Sequence, residues 1–218
     1  GETRYYRVEF IRLKLKDGKS GIIYGFKDVD DEVRNEKKLK TDLQAAILAQ
    51  KQQEKEFYIV QDMALKDSLT GIKNKRAFKQ RENQLNQAIK KKEPLQFAIV
   101  VCDVNDLKVI NDTQGHLAGD QYINNTCTFI CHVFQHSPVF RFGGDEFVVI
   151  LTGSDFENRE QLMQELDQNN RKNLLTGELV VANGLAEFDP SQDTCTNDVL
   201  QRADNSMYEN KMQLKGMR

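Results

Sequence analysis

The chain has 218 residues, 39% hydrophobic and 29% charged, with only 13 Gly and 3 Pro; this composition supports a sizeable core and excludes collagen-like, low-complexity and disordered chains. Its 31 basic and 33 acidic residues leave a net charge of −2, which argues against extended DNA or RNA as a partner. No apolar run approaches the roughly 18 residues of a membrane span, so none is predicted.

The chain opens Gly1-Glu2-Thr3, without Met or a secretory signal, and reads as a piece of a longer protein. Cys102, Cys127, Cys131 and Cys195 fall in core-like segments, the pattern of free buried thiols in a reducing cytoplasm. Cys127 and Cys131 lie one helical turn apart, but no second pair accompanies them to close a zinc site.

Residues 1–29 form the first region. Tyr5-to-Leu15 and Ile22-to-Phe26 read as strands around the turn Asp17-Gly18-Lys19-Ser20-Gly21, with apolar and charged residues alternating from Val8 to Leu15. A lone hairpin is not stable in water, so this one is expected to end a truncated module. Residues 30–66 contain no Gly or Pro. Leu39, Leu43, Ala46, Gln50, Gln53, Phe57, Val60 and Ala64 follow the 4-3-4-3 spacing of a coiled-coil seam, which predicts a rod of roughly 55 Å that dimerises. The two Gln weaken the middle of the seam.

Residues 67–218 carry a globular pattern. The apolar run Phe97-to-Cys102 predicts a buried strand ending at Asp103. A helix from Ala118 to Phe134 follows, and then a hairpin over 139–151 with Gly143-Gly144 at its tip, where a backbone turns tightly or approaches a ligand closely; alone the pair would be an ordinary type I′ turn. A polar helix over 156–171, a strand over Leu179–Phe188 and a helix over Thr196–Leu214, with Met207 and Tyr208 in the core, complete the order. This string is βαββαβ: an α+β, ferredoxin-like core of the kind found in polymerase palms and nucleotide cyclases, with flanking helices.

In such a sheet the first strand lies beside the central hairpin, so Asp103 approaches Asp145 and Glu146. Three converging carboxylates raise one another's pKa unless a cation separates them, and Mg²⁺ with phosphate oxygens suits that set. Three solvated turn acids are the plainer reading. The stretch Asn105-to-Asp120 offers backbone amides and Lys108 for phosphate. It also offers Asn111 and Asp120 for base edges, where a carboxylate facing the N1–H and exocyclic amine of guanine discriminates against adenine. His132 and His136, at helical spacing, lack a third ligand. Lys90-Lys91-Lys92 reads as a solvated loop.

Arg141-Phe142-Gly143-Gly144-Asp145-Glu146-Phe147 resembles the signature of the GGDEF domain, the diguanylate cyclases. Asp67-to-Phe78, Asp103-to-Asp120 and Ala203-to-Lys211 resemble the family's opening motif, nucleotide-binding stretch and closing helix, in the same order. The resemblance implies condensation of two GTP into cyclic di-GMP with release of pyrophosphate, each 3′-hydroxyl attacking the α-phosphate held by the other protomer of a homodimer. It implies Mg²⁺, with Mn²⁺ as a substitute, on Asp103, the Val104 carbonyl, Asp145 and Glu146, with Asp145 helping to deprotonate the 3′-hydroxyl. It implies guanine on Asn111 and Asp120, and phosphates on the amides near Asp106 and Leu107 and on Lys108, Lys211 and Lys215. Asn105 departs from the family's frequent Asp, and Asp106 adds a negative charge near the phosphate path. The family's inhibitory Arg-x-x-Asp is replaced by Phe134 and Ser137, so no feedback inhibition by that route is expected. Residues 1–29 resemble the last strands of a PAS sensor domain. A catalytically silent module that binds GTP or cyclic di-GMP is the alternative.

Overall fold

The computed structural model describes residues 3–176 and 178–216. Gly1, Glu2, Met217 and Arg218, at the outer ends of the first and third predicted regions, lie outside them. The chain divides into two units, Gly1–Gln61 and Asp62–Arg218.

In the first unit β1 (Tyr6–Lys14) and β2 (Ser20–Asp28) form an antiparallel hairpin with Val8 opposite Phe26 and Phe10 opposite Tyr24. Helix α1 (Asp30–Met63) starts with Asp30, Asp31 and Glu32, negative charges that suit the positive end of the helix dipole. Glu32 accepts from Lys27 at 2.9 Å and Arg7 at 3.1 Å, tying both strands to the first turn of the helix. No residue of α1 is buried, and the seam residues Leu39, Leu43, Phe57 and Val60 are all exposed. Ala64, the last predicted seam position, falls beyond the helix: after Met63 the backbone bonds tighten to Leu65 N–Asp62 O and Lys66 N–Met63 O.

The second unit runs β3 (Lys73–Asn74), α2 (Lys75–Lys90), β4 (Ala98–Val104), α3 (Leu107–Gln114), α4 (His116–Val133), β5 (Val139–Gly143), β6 (Glu146–Leu151), α5 (Gly153–Glu157), α6 (Arg159–Thr176), β7 (Val181–Glu187) and α7 (Thr196–Gly216). The sheet order is β3-β5-β6-β4-β7, antiparallel throughout except for the β3–β5 pair. Strands β4 to β7 hold the ferredoxin-like order, and β3 adds a short parallel edge. Helices cover both faces. Ile99 and Val101 of β4 pack with Phe78, Leu85, Ala203 and Met207 of α2 and α7. Ala98, Val100 and Cys102 pack with Ile123, Ile130 and Leu166 of α4 and α6. Burial on both faces is why the Phe97-to-Cys102 run shows no alternation.

Several local expectations change. The polar stretch after β4 contains a helix, α3, that the sequence reading did not separate. Gly115, at φ 87, turns the chain directly from α3 into α4, which therefore starts at His116 rather than Ala118. Helix α4 ends at Val133, so His136 lies outside it and shares no helical face with His132. The polar helix predicted over 156–171 is two helices, α5 and α6. Tyr208 is 61% exposed, not core, because one residue of rotation carries it off the face of buried Met207. Among the described residues no helix is long and apolar enough to cross a membrane.

Candidate active site

Asp103 occupies the penultimate position of β4, directly opposite Glu146 of β6. Alternation along β4 turns it to the same face as Ile99 and Val101, the face covered by α7. Gly184 of β7 sets the depth of that helix. A Cβ there would collide with backbone at Ala203 and Met207, so its absence lets α7 lie directly on the strand. One turn beyond Met207, Lys211 donates from Nζ to Asp103 Oδ1 at 2.5 Å.

The turn residue Asp145 docks on the same strand end, its carbonyl accepting from Val104 N at 2.9 Å. Asp103 is only 6% exposed. Burial pushes its carboxyl above the ordinary range and the charge of Asp145 pushes further, while Lys211 and Lys215 pull it back. Asp103, Val104, Asp145 and Glu146 thus gather at one end of the central strands. The predicted convergence of three carboxylates is looser than expected: Asp145 is half-buried, Glu146 is exposed, and among the described residues no three acidic, histidine or cysteine side chains form a ready-made metal centre. The donors at this strand end are nevertheless all oxygen, and one of them is a buried carboxylate already facing a cation. That set fits a hard divalent ion completed by substrate oxygens.

The hairpin tip differs from the expected type I′ turn. Gly143 pairs with Glu146, leaving Gly144-Asp145 as the turn after a bulge between Arg141 and Gly143. Neither turn residue has the positive φ that a type I′ turn demands. A Cβ on Gly143 or Gly144 would meet nothing within 4 Å, so the protein itself does not require glycine at either position. A cavity of about 490 Å³ abuts both, rimmed by Asn74, Lys75, Arg76 and Arg141.

Arg141 braces the turn and was not among the predicted site residues. Its Nη2 donates to the Gly144 carbonyl at 2.8 Å and its Nη1 to Asp67 Oδ1 at 2.9 Å. Burial raises the Asp67 carboxyl, but bonds from Thr70 and Arg141 outweigh it and hold Asp67 below its ordinary value. A charged residue between two core phenylalanines at 140 and 142 was the available signal: a side chain buried beside them needs a partner.

Asn111 of α3 lies against Gly119 of α4, the residue before Asp120, and a Cβ on Gly119 would collide with the Asn111 side chain. Asp106 adopts a left-handed conformation, φ 64, at the head of α3, and its side chain does not cap that helix. The first amides of α3, at Leu107 and Lys108, open the helix toward its positive end. Lys108 and Lys215 are exposed. Asn105 is buried, with its Oδ1 unpartnered. Phe134 is core and Ser137 is half-buried.

An α+β sheet of this order with acids and a lysine at the end of its central strands is a palm-like nucleotide-handling architecture. Residues 64–217 match the family model described as "Diguanylate cyclase, GGDEF domain", and the chain belongs to that family. It is 26% identical over 161 residues to diguanylate cyclase DgcZ of Escherichia coli, covering 71% of this chain and 53% of that protein. It therefore spans about half the length of that relative. The structure of the coiled coil and GGDEF domain of DgcB from Caulobacter crescentus, in complex with c-di-GMP, superposes with a TM-score of 0.67 at 24% identity, covering 80% of this chain and 95% of that one. A microbial GGDEF domain described for a novel interaction mode with cyclic di-GMP superposes with a TM-score of 0.54 at 30% identity, covering 69% and 94%.

Proposed function

We propose that the chain is the output part of a signalling protein and condenses two GTP into cyclic di-GMP, releasing two pyrophosphates. The observation that carries this reading is the gathering of Asp103, Asp145, Glu146 and Lys211 at one strand end, beside a glycine turn that the fold itself leaves open. Phosphoryl transfer asks for charge neutralisation and in-line positioning more than for a strong nucleophile. Mg²⁺, or Mn²⁺ in its place, would be held by Asp103, the Val104 carbonyl, Asp145 and Glu146 and would supply that neutralisation.

The chain's own residues do the rest. Lys108, Lys211, Lys215 and the amides after Asp106 neutralise the triphosphate. Asp120 accepts from the N1–H and exocyclic amine of guanine, Asn111 donates to a guanine acceptor, and Asp145 takes the proton from the 3′-hydroxyl. Gly143 and Gly144 leave room for the nucleotide against the turn. Each domain holds one GTP, so turnover needs a homodimer. The exposed seam of α1 supports pairing there, and the hairpin before it fits the end of a PAS-like sensor. GTP as substrate places the domain in the cytoplasm.

A silent module that binds GTP or cyclic di-GMP is the second reading. It is favoured by the Lys211 ammonium on Asp103, which competes with a metal ion for that carboxylate. Incubation with GTP and Mg²⁺ followed by nucleotide chromatography separates the two. Cyclic di-GMP from the wild type but not from Asp145→Ala supports the enzyme. Absence of product even with a strong coiled coil fused before Leu39, in register with the seam, overturns it in favour of the binding module.

A further inference from the structure

Strand β7 is an edge of the five-stranded sheet, with only β4 beside it. At the two ends of the β4–β7 ladder Phe188 N donates to the Phe97 carbonyl and Asn105 N donates to the Val180 carbonyl. Even-numbered residues of β7 therefore bond inward, and odd-numbered ones turn N–H and C=O outward. An open edge is a template for another strand unless something blocks it.

Side chains of α6 and α7 block both ends of this edge. Asn170 donates to the Val181 carbonyl at 2.6 Å and accepts from Val181 N at 2.9 Å. Asn210 Oδ1 accepts from Asn183 N at 3.1 Å, and Arg202 Nη2 donates to the Glu187 carbonyl at 2.6 Å. Between these caps, no hydrogen bond among the described residues reaches the Asn183 carbonyl, the outward N–H and C=O of Leu185, or the Glu187 N–H. The gap opens on a cavity of about 380 Å³ between α6 and α7.

We propose that this gap is a docking site for a short basic segment of a partner protein, which adds to the sheet as an extended strand beside β7. The open groups run acceptor, donor, acceptor, donor from Asn183 to Glu187, a pattern that an antiparallel strand matches. One residue opposite Leu185 exchanges both bonds with it. The residue two places further on donates to Asn183, and the residue two places before accepts from Glu187. The charge of the cavity selects the partner. Glu160, Asp167, Glu187 and Glu209 line it with one base, Arg159, and Arg159 is already held by Glu187 at 2.6 Å. Backbone bonds attach any sequence, so the carboxylates supply the preference, for Lys and Arg flanking the central residue. Leu185 and Met163, both half-buried, offer that central residue an apolar contact.

The test follows backbone amide exchange by NMR on the isotope-labelled chain. In the free protein the Leu185 and Glu187 amides should exchange at least about tenfold faster than those of Val181 and Asn183, which are bonded. Equal protection overturns the gap. The capped peptide acetyl-Lys-Arg-Val-Arg-Lys-amide should then slow Leu185 and Glu187 by about tenfold or more, and no protection at millimolar peptide overturns the docking site. The same peptide N-methylated at its central valine keeps its charge but loses the N–H for the Leu185 carbonyl. By fluorescence anisotropy it should bind about tenfold more weakly; equal binding means charge attraction without strand addition and overturns the proposal. Glu160→Lys combined with Glu209→Lys, both exposed and outside the nucleotide site, should weaken the unmodified peptide by about tenfold. An unchanged affinity overturns the charge selection. None of these readouts uses GTP, so failure here is distinct from failure of the cyclase reading.

Discussion

Lys211 Nζ donates to Asp103 Oδ1 at 2.5 Å, joining the last helix to the central strand across 108 positions of sequence. Burial raises the Asp103 carboxyl first, Asp145 adds to it, and Lys211 offsets part of both. The folded state thus binds a proton at Asp103 more tightly than the unfolded chain does. Between the ordinary carboxylate value of 3.8 and the raised folded value, stability falls as pH rises.

Asp103→Asn should therefore do two opposite things. Turnover should fall by about 10²-fold or more, because the metal and phosphates lose their fixed carboxylate. In EDTA at pH 7 the melting temperature should rise, and the loss of stability as pH climbs from 3.8 through the raised folded value should become shallower. Lys211→Met should show the reverse in stability, steepening that loss, with turnover again depressed. Melting curves over that pH range check both, and a flat profile in the wild type contradicts the account.

Arg141 joins residues 74 positions apart while bracing Gly144, with its side chain only 13% exposed. Arg141→Ala strands Asp67 and frees the turn, at a cost of about 1.5–3 kcal/mol, the range for a hydrogen bond to a charged group. Because Asp67 is held below its ordinary value, the stability it contributes is present above 3.8 and lost as pH falls through the lower folded value. The deficit of the variant, read as a shift in urea midpoint, should be largest at pH 7 and narrow as acid protonates Asp67. Arg141→Lys should recover part of the stability but not the bidentate grip.

These two relationships show how far the sequence could be read. The βαββαβ order and the strand-end position of Asp103 follow from local periodicity and from the apolar run before it. The Lys211 partnership needed the depth of α7, which is decided by the missing Cβ at Gly184, a contact between distant segments. Arg141 was visible as a charge between core phenylalanines, but its partner Asp67 lies far away in sequence. At the hairpin tip only the type I′ alternative fails, for a different reason. Paired glycines suggest positive φ, whereas here both sit in ordinary backbone next to open space. Helix α3 was hidden because its eight residues are mostly polar and its boundary at Gly115 leads straight into another helix.

Gly184→Ala tests the packing under Lys211. The added methyl meets main-chain atoms of α7 rather than a side chain that could swing away. Helix α7 must lift from β7, costing on the order of 1–3 kcal/mol and drawing Lys211 off Asp103. Loss of stability with retained turnover would show that the pair is not needed for chemistry.

Gly119→Ala gives the contrasting case. Its methyl would meet the end of the Asn111 side chain, which can rotate aside, so the fold should lose little: a stability change within about 0.5–1 kcal/mol, since Ala also favours the helix over Gly. The cost falls on recognition. Asn111 displaced from its place against Gly119 leaves the proposed guanine edge with Asp120 alone, and a site built on two polar groups discriminates poorly once one of them moves. GTP affinity should fall by about tenfold or more, with the preference over ATP narrowed, as measured by calorimetric titration of both nucleotides. Asp120→Ser should narrow the same preference. Unchanged selectivity in both variants would move the guanine contact away from the α3–α4 corner.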